Sequence, residues 1–268
     1  MCRHLAYLGP PVSLGRLLSD PEHSLVHQSF APRRQRHGTV NADGFGIGWY
    51  AEGDPVPARY RRAGPIWGDL AFTDLARVVR SGAVLAAVRD ATRAGADGEA
   101  AAAPFAEGPW LFSHNGMLRD WPDAVASVAA ASLPPRELLS LAARTDSALI
   151  WALVLRRLRE GDGLGEALAG PVRELAEAAP GSRLNLLLTD GRAIAATAWG
   201  DSLWYLADAA VPRTVVVSEP YDDDPRWCEV PDGTLLTATR TRIDLVSLKE
   251  TPTGAPYRGA PQQGDEGP

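Results

Sequence analysis

Lysine is almost absent from this chain. Lys249 is the only lysine, and the other 26 of the 27 basic residues are arginines. A phosphate-binding P-loop requires a Gly-Lys-Ser or Gly-Lys-Thr tripeptide, which the sequence lacks. Schiff-base enzymes require a lysine in a buried site, whereas Lys249 lies beside a polar C-terminal segment. The scarcity of lysine therefore excludes both kinds of chemistry.

Cysteine is scarce, and long apolar runs and an excess of positive charge are absent. Cys2 and Cys228 are too few for a multi-bridge disulfide framework or a cysteine-rich zinc site. No run approaches the roughly 18 apolar residues of a membrane-spanning helix, and the N-terminus has no signal-peptide pattern. The net charge of −6 argues against a nucleic-acid partner. We expect a cytosolic protein without a membrane or nucleic-acid partner.

Apolar runs and turn residues predict strands in both halves of the chain and helices between them. Strands are predicted over residues 5–8, 45–49, 84–88 and 110–112, helices over 122–131, 135–143, 148–160 and 164–178, and further strands over 184–188, 193–198, 203–206, 214–217, 234–239 and 243–248. Gly9-Pro10-Pro11 is expected to end the first strand, and Asp190-Gly191 to form a hairpin turn. This order favours an α+β layered domain over a parallel sheet.

The chain of 268 residues is predicted to form a single domain over residues 2–249. Residues 250–268 are rich in proline, glycine and glutamine, which predicts a disordered tail. Within the domain, Gly44, Gly46 and Gly48 alternate with apolar residues, so one face of that strand carries no side chains. The spacing is not that of a dinucleotide-binding loop, and it predicts instead that something approaches the bare face closely.

Cys2 is the sharpest candidate for chemistry. If Met1 is removed, Cys2 carries a free α-amine with a reference pKa near 8, which can serve as base for its own thiol. One residue then supplies the nucleophile and the base. Taken alone, a cysteine at the second position is more often an accident than a catalyst.

Three further positions change that weighting. Asn115-Gly116 follows a predicted strand and is either an ordinary hairpin turn or an oxyanion hole. Arg89 stands where a strand should end, and its guanidinium suits a carboxylate. Asp146 either caps a helix or pairs with a substrate ammonium. Together with Cys2, these side chains describe a receptor for a γ-glutamyl group.

The ordered motifs resemble those of the class II glutamine amidotransferases. They are N-terminal Met-Cys, Arg-x-x-Thr at Arg89 and Thr92, His-Asn-Gly from His114 to Gly116, and Thr-Asp-Ser around Asp146. The resemblance implies an N-terminal-nucleophile hydrolase fold, a four-layer αββα sandwich of two antiparallel sheets between helical layers. It also implies a cysteine nucleophile, a glutamyl thioester intermediate and no metal or organic cofactor. Thr92 and His114 are then expected to bind substrate beside Arg89 and Asp146.

Three blocks, at residues 1–9, 41–50 and 218–227, resemble the amidohydrolases of ergothioneine biosynthesis within that family. The function implied is removal of a γ-glutamyl group from a small sulfoxide substrate. A γ-glutamyl peptidase for glutathione-like peptides and a glutaminase partner of a separate synthase would recognise the glutamyl end identically. A non-enzymatic γ-glutamyl-binding module is a third alternative. The oligomeric state stays open.

The leaving group of such a substrate carries a permanent trimethylammonium cation, which cannot donate hydrogen bonds. Aromatic faces and carboxylates bind such cations. Trp49 ends the glycine-bearing strand, and Trp227 follows the acidic run 222–224. We predict that an aromatic or acidic side chain from these two blocks contacts the cation, with Trp49 as the substrate-binding candidate, although each tryptophan taken singly fits a packing role slightly better.

Overall fold

Antiparallel strands form the framework of the chain. The structure, a computed structural model, describes residues 2–38, 40–91, 98–208 and 210–249. The strands in these ranges are β1 (Arg3–Ser13), β2 (Phe45–Trp49), β3 (Ala58–Arg62), β4 (Arg80–Val88), β5 (Phe105–Glu107), β6 (Trp110–Met117), β7 (Arg183–Thr189), β8 (Ile194–Ala198), β9 (Trp204–Asp208), β10 (Arg213–Val217), β11 (Cys228–Glu229), β12 (Thr234–Ala238) and β13 (Ile243–Ser247). The helices are α1 (Leu14–Leu18), α2 (Leu25–Gln28), α3 (Leu70–Val78), α4 (Ala126–Ser132), α5 (Pro135–Leu139), α6 (Asp146–Glu160) and α7 (Leu164–Ala178).

The strands form two sheets that lie between two layers of helices. The first sheet has the order β11-β9-β10-β1-β4-β2-β3, and the second has the order β13-β12-β8-β7-β6-β5. Helices α1 to α3 pack on the first sheet, while α6 and α7 pack on the second. Three apolar clusters fill the two helix-to-sheet spaces and the space between the sheets. The predicted four-layer αββα architecture is therefore confirmed.

The bare face of β2 lies against the second sheet. A side chain at Gly46 would collide with the carbonyl oxygen of Ala103, and one at Gly48 would come within 2.6 Å of a methyl carbon of Leu111. The close approach predicted from the alternating glycines is thus an approach of the molecule's own second layer. The glycines let the sheets pack closely beside β5 and β6.

The first strand is longer than predicted, because Gly9-Pro10-Pro11 does not end it. The pairing of β1 with β4 shifts register between Leu8 and Val12, so the two prolines lie in an irregular stretch of the ladder. Prolines are tolerated at such bulges because their missing N–H is not needed there. The hydroxyl of Tyr7 donates to the carbonyl of Pro10 at 2.7 Å and holds this stretch in place.

Several other boundaries follow or correct the sequence predictions. Helix α7 spans the predicted residues, and the turn at Asp190-Gly191 joins β7 to β8, with Gly191 at a positive φ of 81°. The predicted helix over 122–131 is a short 3-10 turn followed by α4, and α5 is shorter than predicted. Strand β3 and helix α3 were not predicted at all. Strand β3, Ala-Arg-Tyr-Arg-Arg, lies at a sheet edge, where charged side chains replace the apolar alternation.

None of the described helices combines the length and apolar character needed to cross a bilayer. The predicted tail, residues 250–268, lies outside the described residues. The boundaries of the predicted domain, 2–249, stay a prediction.

Candidate active site

A cavity of about 310 Å³ lies where β1 begins. Its wall is formed by residue 2, by residues 89–91 after β4, by 116–118 and 120–121 at and after the end of β6, and by 144–147 at the start of α6. The volume falls within the range of small-molecule sites, about 300–1,000 Å³. Strand ends from both sheets and a helix N-terminus therefore meet at one place.

Cys2 is a partly buried residue of this wall and forms no disulfide. Burial raises the pKa of Cys2 above its ordinary value, and Asp146 acts in the same direction. The positive charge of the amino terminus, a backbone hydrogen bond from Asp90 and the charge of Arg89 lower the pKa without cancelling the effect of burial. A thiol in these surroundings is protonated at neutral pH, so it needs a nearby group that accepts its proton before it can attack.

His4 does not offer such a base. It lies two residues after Cys2, between the sheets, and its Nδ1 contacts the Ser113 hydroxyl at 3.3 Å. Burial lowers the pKa of His4 to about 3, and the neighbouring charges of His114 and Arg3 act in the same direction. His4 is fully buried, and it is a neutral packing residue of the layer between the sheets.

Arg89 is held at the end of β4 by the loop before β2. Its backbone N–H donates to the carbonyl of Gly44 at 2.8 Å, and its own carbonyl accepts from the N–H of Asp43 at 2.9 Å. The Asp43 carboxylate accepts from the N–H of Ala91 at 2.8 Å, and Gly44 has a φ of +138° that only glycine adopts readily. This loop closes the end of β4 and holds Arg89 in the cavity wall.

Asp146 lies in the first turn of α6 and does not cap the helix. The cap is Thr145, whose hydroxyl accepts from the N–H of Ala148 at 3.3 Å. The Asp146 carboxylate accepts from the N–H groups of Leu118, at 2.9 Å, and Ser147, at 2.7 Å. Its position in the cavity wall is thus fixed by one bond within α6 and one to the chain just after β6.

Asn115 and Gly116 belong to β6, so the hairpin-turn interpretation is wrong. They pair with Asn185 and Leu184 of β7. Asn115 is fully buried between the sheets, and its amide donates to the Ser218 hydroxyl, which in turn accepts from the N–H of His4. Gly116 lies in the cavity wall, and a side chain there would collide with the carbonyl of Arg183. The pair therefore lies beside the start of β1.

His114 is on the opposite face of β6 and has partners on both ring nitrogens. Its Nδ1 contacts the Ser147 hydroxyl at 3.0 Å, and its Nε2 contacts the carbonyl of Arg183 at 3.0 Å. The described cavity wall does not include it. The predicted substrate-binding side chain thus connects β6 to the start of α6 and lies behind the wall.

A buried ion pair lies behind Cys2, and sequence reasoning missed it. Arg3 is fully buried, and its guanidinium donates to the carbonyl of Cys2 at 3.4 Å and lies 3.8 Å from the carboxylate of Glu219. Glu219 also accepts from the backbone N–H groups of Arg33, at 3.0 Å, and Arg34, at 2.7 Å. Burial lowers the pKa of Arg3, and Glu219 opposes that shift. The pair anchors the backbone of Cys2.

The two predicted tryptophans, Trp49 and Trp227, do not line the described cavity. Thr92 lies outside the described residues. Trp49 is partly buried against the apolar cluster on the helix side of the first sheet. Trp227 belongs to the same cluster, contacts Tyr221 edge to face, and donates its indole N–H to Asp222 at 2.7 Å. Both tryptophans therefore have packing roles in this structure.

The charged and aromatic wall residues that the sequence analysis did not single out are Asp120, Trp121 and Arg144. Trp121 is half-buried and packs against the cluster under α6, while Asp120 and Arg144 are exposed. Trp121 stands five residues after Gly116, directly before Pro122. The helix predicted over 122–131 begins one residue later, and no local pattern marks Trp121 as part of a site.

Comparisons with known proteins identify a family and similar relatives. Residues 18–211 match the family model described as glutamine amidotransferases class-II. A γ-glutamyl-hercynylcysteine sulfoxide hydrolase from Mycolicibacterium smegmatis is 42% identical over 92% of this chain and all of its own length. A protein of the same name from Mycobacterium tuberculosis is 40% identical over 92% of this chain and 97% of its own.

Solved structures share the architecture. A glutamine aminotransferase class-II domain protein from Silicibacter pomeroyi is 26% identical, with a TM-score of 0.66 over 93% of this chain and all of that one. The glutamine phosphoribosylpyrophosphate amidotransferase from B. subtilis is 14% identical, with a TM-score of 0.60 over 93% of this chain and half of that one. At that identity, the second likeness concerns the fold alone.

Proposed function

The chain belongs to the class II glutamine amidotransferases, and from this premise we propose that it is a hydrolase that removes the γ-glutamyl group from γ-glutamyl-hercynylcysteine sulfoxide in ergothioneine biosynthesis. Two γ-glutamyl-hercynylcysteine sulfoxide hydrolases are 40–42% identical to it over nearly their whole length. The observation that carries the proposal is that one cavity brings Cys2 together with Arg89 and Asp146. Its partner is a small molecule, and the cytosolic location remains a prediction from composition.

Arg89 and Asp146 recognise the amino-acid end of the glutamyl group. The guanidinium of Arg89 offers a fork of donors to the α-carboxylate. Asp146 keeps lone pairs for the α-ammonium, because each carboxylate oxygen has further acceptor capacity beside its backbone bond. With both ends of this zwitterion held, the γ-carbonyl is directed to Cys2.

Cys2 attacks that carbonyl, and its own α-amine accepts the thiol proton once Met1 is removed. The raised pKa of the thiol makes this acceptor necessary, and the depressed pKa of His4 means that histidine does not serve. A carbon–sulfur bond forms, the carbon–nitrogen bond breaks, and the proton passes to the departing amine. Water then hydrolyses the glutamyl thioester, which restores the thiol and releases glutamate.

Asn115 and Gly116 stabilise the tetrahedral oxyanion between these two steps. The Asn115 amide is buried next to the start of β1, and its bond to Ser218 is long at 3.4 Å, so a stronger acceptor can compete for it. The backbone N–H of Gly116 adds a second donor from the cavity wall. Preorganised donors of this kind act on charge that exists only in the transition state. His114 positions this stretch of β6 against α6.

The test is glutamate release by the purified protein from three substrates measured in parallel: γ-glutamyl-hercynylcysteine sulfoxide, glutathione and glutamine. A desolvated cation contact is worth about 2 kcal/mol, so kcat/KM for the sulfoxide should exceed the other two by at least ~30-fold. Equal use of all three would replace the proposal with a general γ-glutamyl hydrolase or a glutaminase. Binding without any release would mean a γ-glutamyl-binding module.

A further inference from the structure

The cavity has an inner and an outer end. The charged side chains that act on the Cys2 thiol are Arg89 and Asp146, which define the inner end. Asp120 and Arg144 also belong to the cavity wall, but both are exposed, and we call their part of the wall the outer end. Trp121 stands next to Asp120, with one side packed on the apolar cluster under α6 and the other in the wall.

The outer end therefore offers one aromatic surface, one carboxylate and one guanidinium. Asp120 has a φ of 51°, a backbone conformation that few non-glycine residues adopt. Trp121 and Arg144 also take part in other interactions within the protein. A ligand that suits this set carries a bulky cation and an anion close together.

The leaving group of the proposed substrate has that chemistry. Its hercynyl part bears a trimethylammonium and a carboxylate on the same carbon, which makes it a betaine. A trimethylammonium cannot donate hydrogen bonds, so it is bound by an aromatic face and by diffuse negative charge. A carboxylate is bound by the donors of an arginine.

We propose that Trp121, Asp120 and Arg144 form the subsite for the betaine head of the leaving group. The Trp121 ring and the Asp120 carboxylate contact the trimethylammonium, and the Arg144 guanidinium contacts the carboxylate. This assignment rests on the function proposed above. It also moves cation recognition from Trp49 and Trp227, which pack on the far side of the first sheet, to the second sheet and the start of α6.

The test compares kcat/KM for the trimethylated sulfoxide with kcat/KM for glutamine in the same preparation. Any general loss of folded enzyme lowers both values and cancels in the ratio. Trp121→Leu removes the aromatic face, so the ratio should fall by about 10- to 30-fold, and Trp121→Phe should restore most of it. Trp67→Leu is the matched control, because Trp67 is an exposed tryptophan outside the cavity wall, and it should keep the wild-type ratio.

A second arm separates the two charges. The sulfoxide with a free α-amine in place of trimethylammonium can donate hydrogen bonds to Asp120. Trp121→Leu should therefore reduce kcat/KM more for the methylated substrate than for this analogue. Arg144→Gln should reduce both by a similar factor of about tenfold, with Arg192→Gln, an exposed arginine outside this cavity, as its control.

An unchanged ratio in Trp121→Leu, or an equal fall in Trp67→Leu, overturns the subsite. Failure of the proposed function has a different signature, because wild-type enzyme would then show no preference for the sulfoxide over glutamine. Equilibrium binding to Cys2→Ala gives a readout free of turnover. There the trimethylated substrate should bind more tightly than its free-amine analogue, and Trp121→Leu should remove that difference.

Discussion

At the inner end of the cavity, Arg89 follows the last residue of β4 and Asp146 lies in the first turn of α6. At the outer end, Asp120 and Trp121 lie in the connection after β6, and Arg144 precedes the cap of α6. Arg89 and Asp146 are each positioned by backbone hydrogen bonds that join separate elements. Asp120 and Arg144 are exposed. The inner end is suited to one fixed chemistry, and the outer end can vary with the leaving group.

The largest effect is expected from replacing the proposed nucleophile, Cys2. Cys2→Ala should reduce glutamate release from every γ-glutamyl substrate to background, because no other group supplies the nucleophile. Cys228→Ser is the matched control, since Cys228 is exposed and lies outside the cavity wall. Its rate should equal that of wild type. Turnover retained in Cys2→Ala would remove the cysteine mechanism.

The oxyanion donors come next in size. Asn115→Ala should lower kcat by about 10²–10³, or 2.7–4 kcal/mol, as loss of one oxyanion donor does. Substrate affinity should change little, because the charge develops only in the transition state. A thermal melt of the variant controls for the buried position of Asn115. A normal kcat would show that Asn115 is not an oxyanion donor and that its amide only bonds to Ser218.

Blocked substrates probe the inner charges without changing the protein. Amidating the substrate α-carboxylate or acetylating its α-amine leaves Arg89 or Asp146 without its ionic partner. Both side chains are half-buried, so each change should cost about 2–3 kcal/mol, roughly 30- to 150-fold in kcat/KM. Equal hydrolysis of blocked and free substrates would mean that neither residue recognises the glutamyl end.

The buried His4 between the sheets should make the free energy of unfolding depend on pH. The unfolded chain protonates His4 near its ordinary pKa of 6.5, whereas the folded protein resists protonation down to about 3. The unfolded state therefore binds more protons in this window, and stability falls as the pH drops. Between pH 7 and pH 5 the loss from His4 is about 2 kcal/mol. Denaturant titrations at both pH values should show a smaller loss in His4→Gln, while the exposed His37→Gln should behave as wild type.

The residues of the inner end could be predicted from the sequence because they belong to short ordered motifs. Cys2, Arg89, Gly116 and Asp146, each singled out by residue type and spacing, all lie in one cavity wall. Trp121 was not readable in the same way. Its place in the wall depends on how the chain leaves β6 and packs under α6, and no local pattern around Trp121-Pro122 contains that information.

The same limit explains the errors in the fold. Asn-Gly at residues 115–116 is a strong local turn signal, yet pairing with β7 along the whole of β6 keeps these residues extended. Gly9-Pro10-Pro11 is a strong local stop signal, but β1 continues because β4 pairs with it on both sides of the bulge. In both cases long-range strand pairing overrides a local preference. In helix α7, by contrast, the apolar residues recur at helical spacing and pack on one face, so local pattern and tertiary packing favour the same structure.

The central claim is that Cys2, as a free N-terminal residue, forms a glutamyl thioester during turnover. It is tested most directly by the intact mass of the protein quenched in acid during steady-state hydrolysis of γ-glutamyl-hercynylcysteine sulfoxide. The account predicts that Met1 is absent and that part of the sample is heavier by one glutamyl group attached at Cys2. An uncleavable N-terminal fusion should show neither the adduct nor turnover, because its Cys2 nitrogen is an amide. Full activity in that fusion, or rapid turnover with Met1 still attached, would contradict the account.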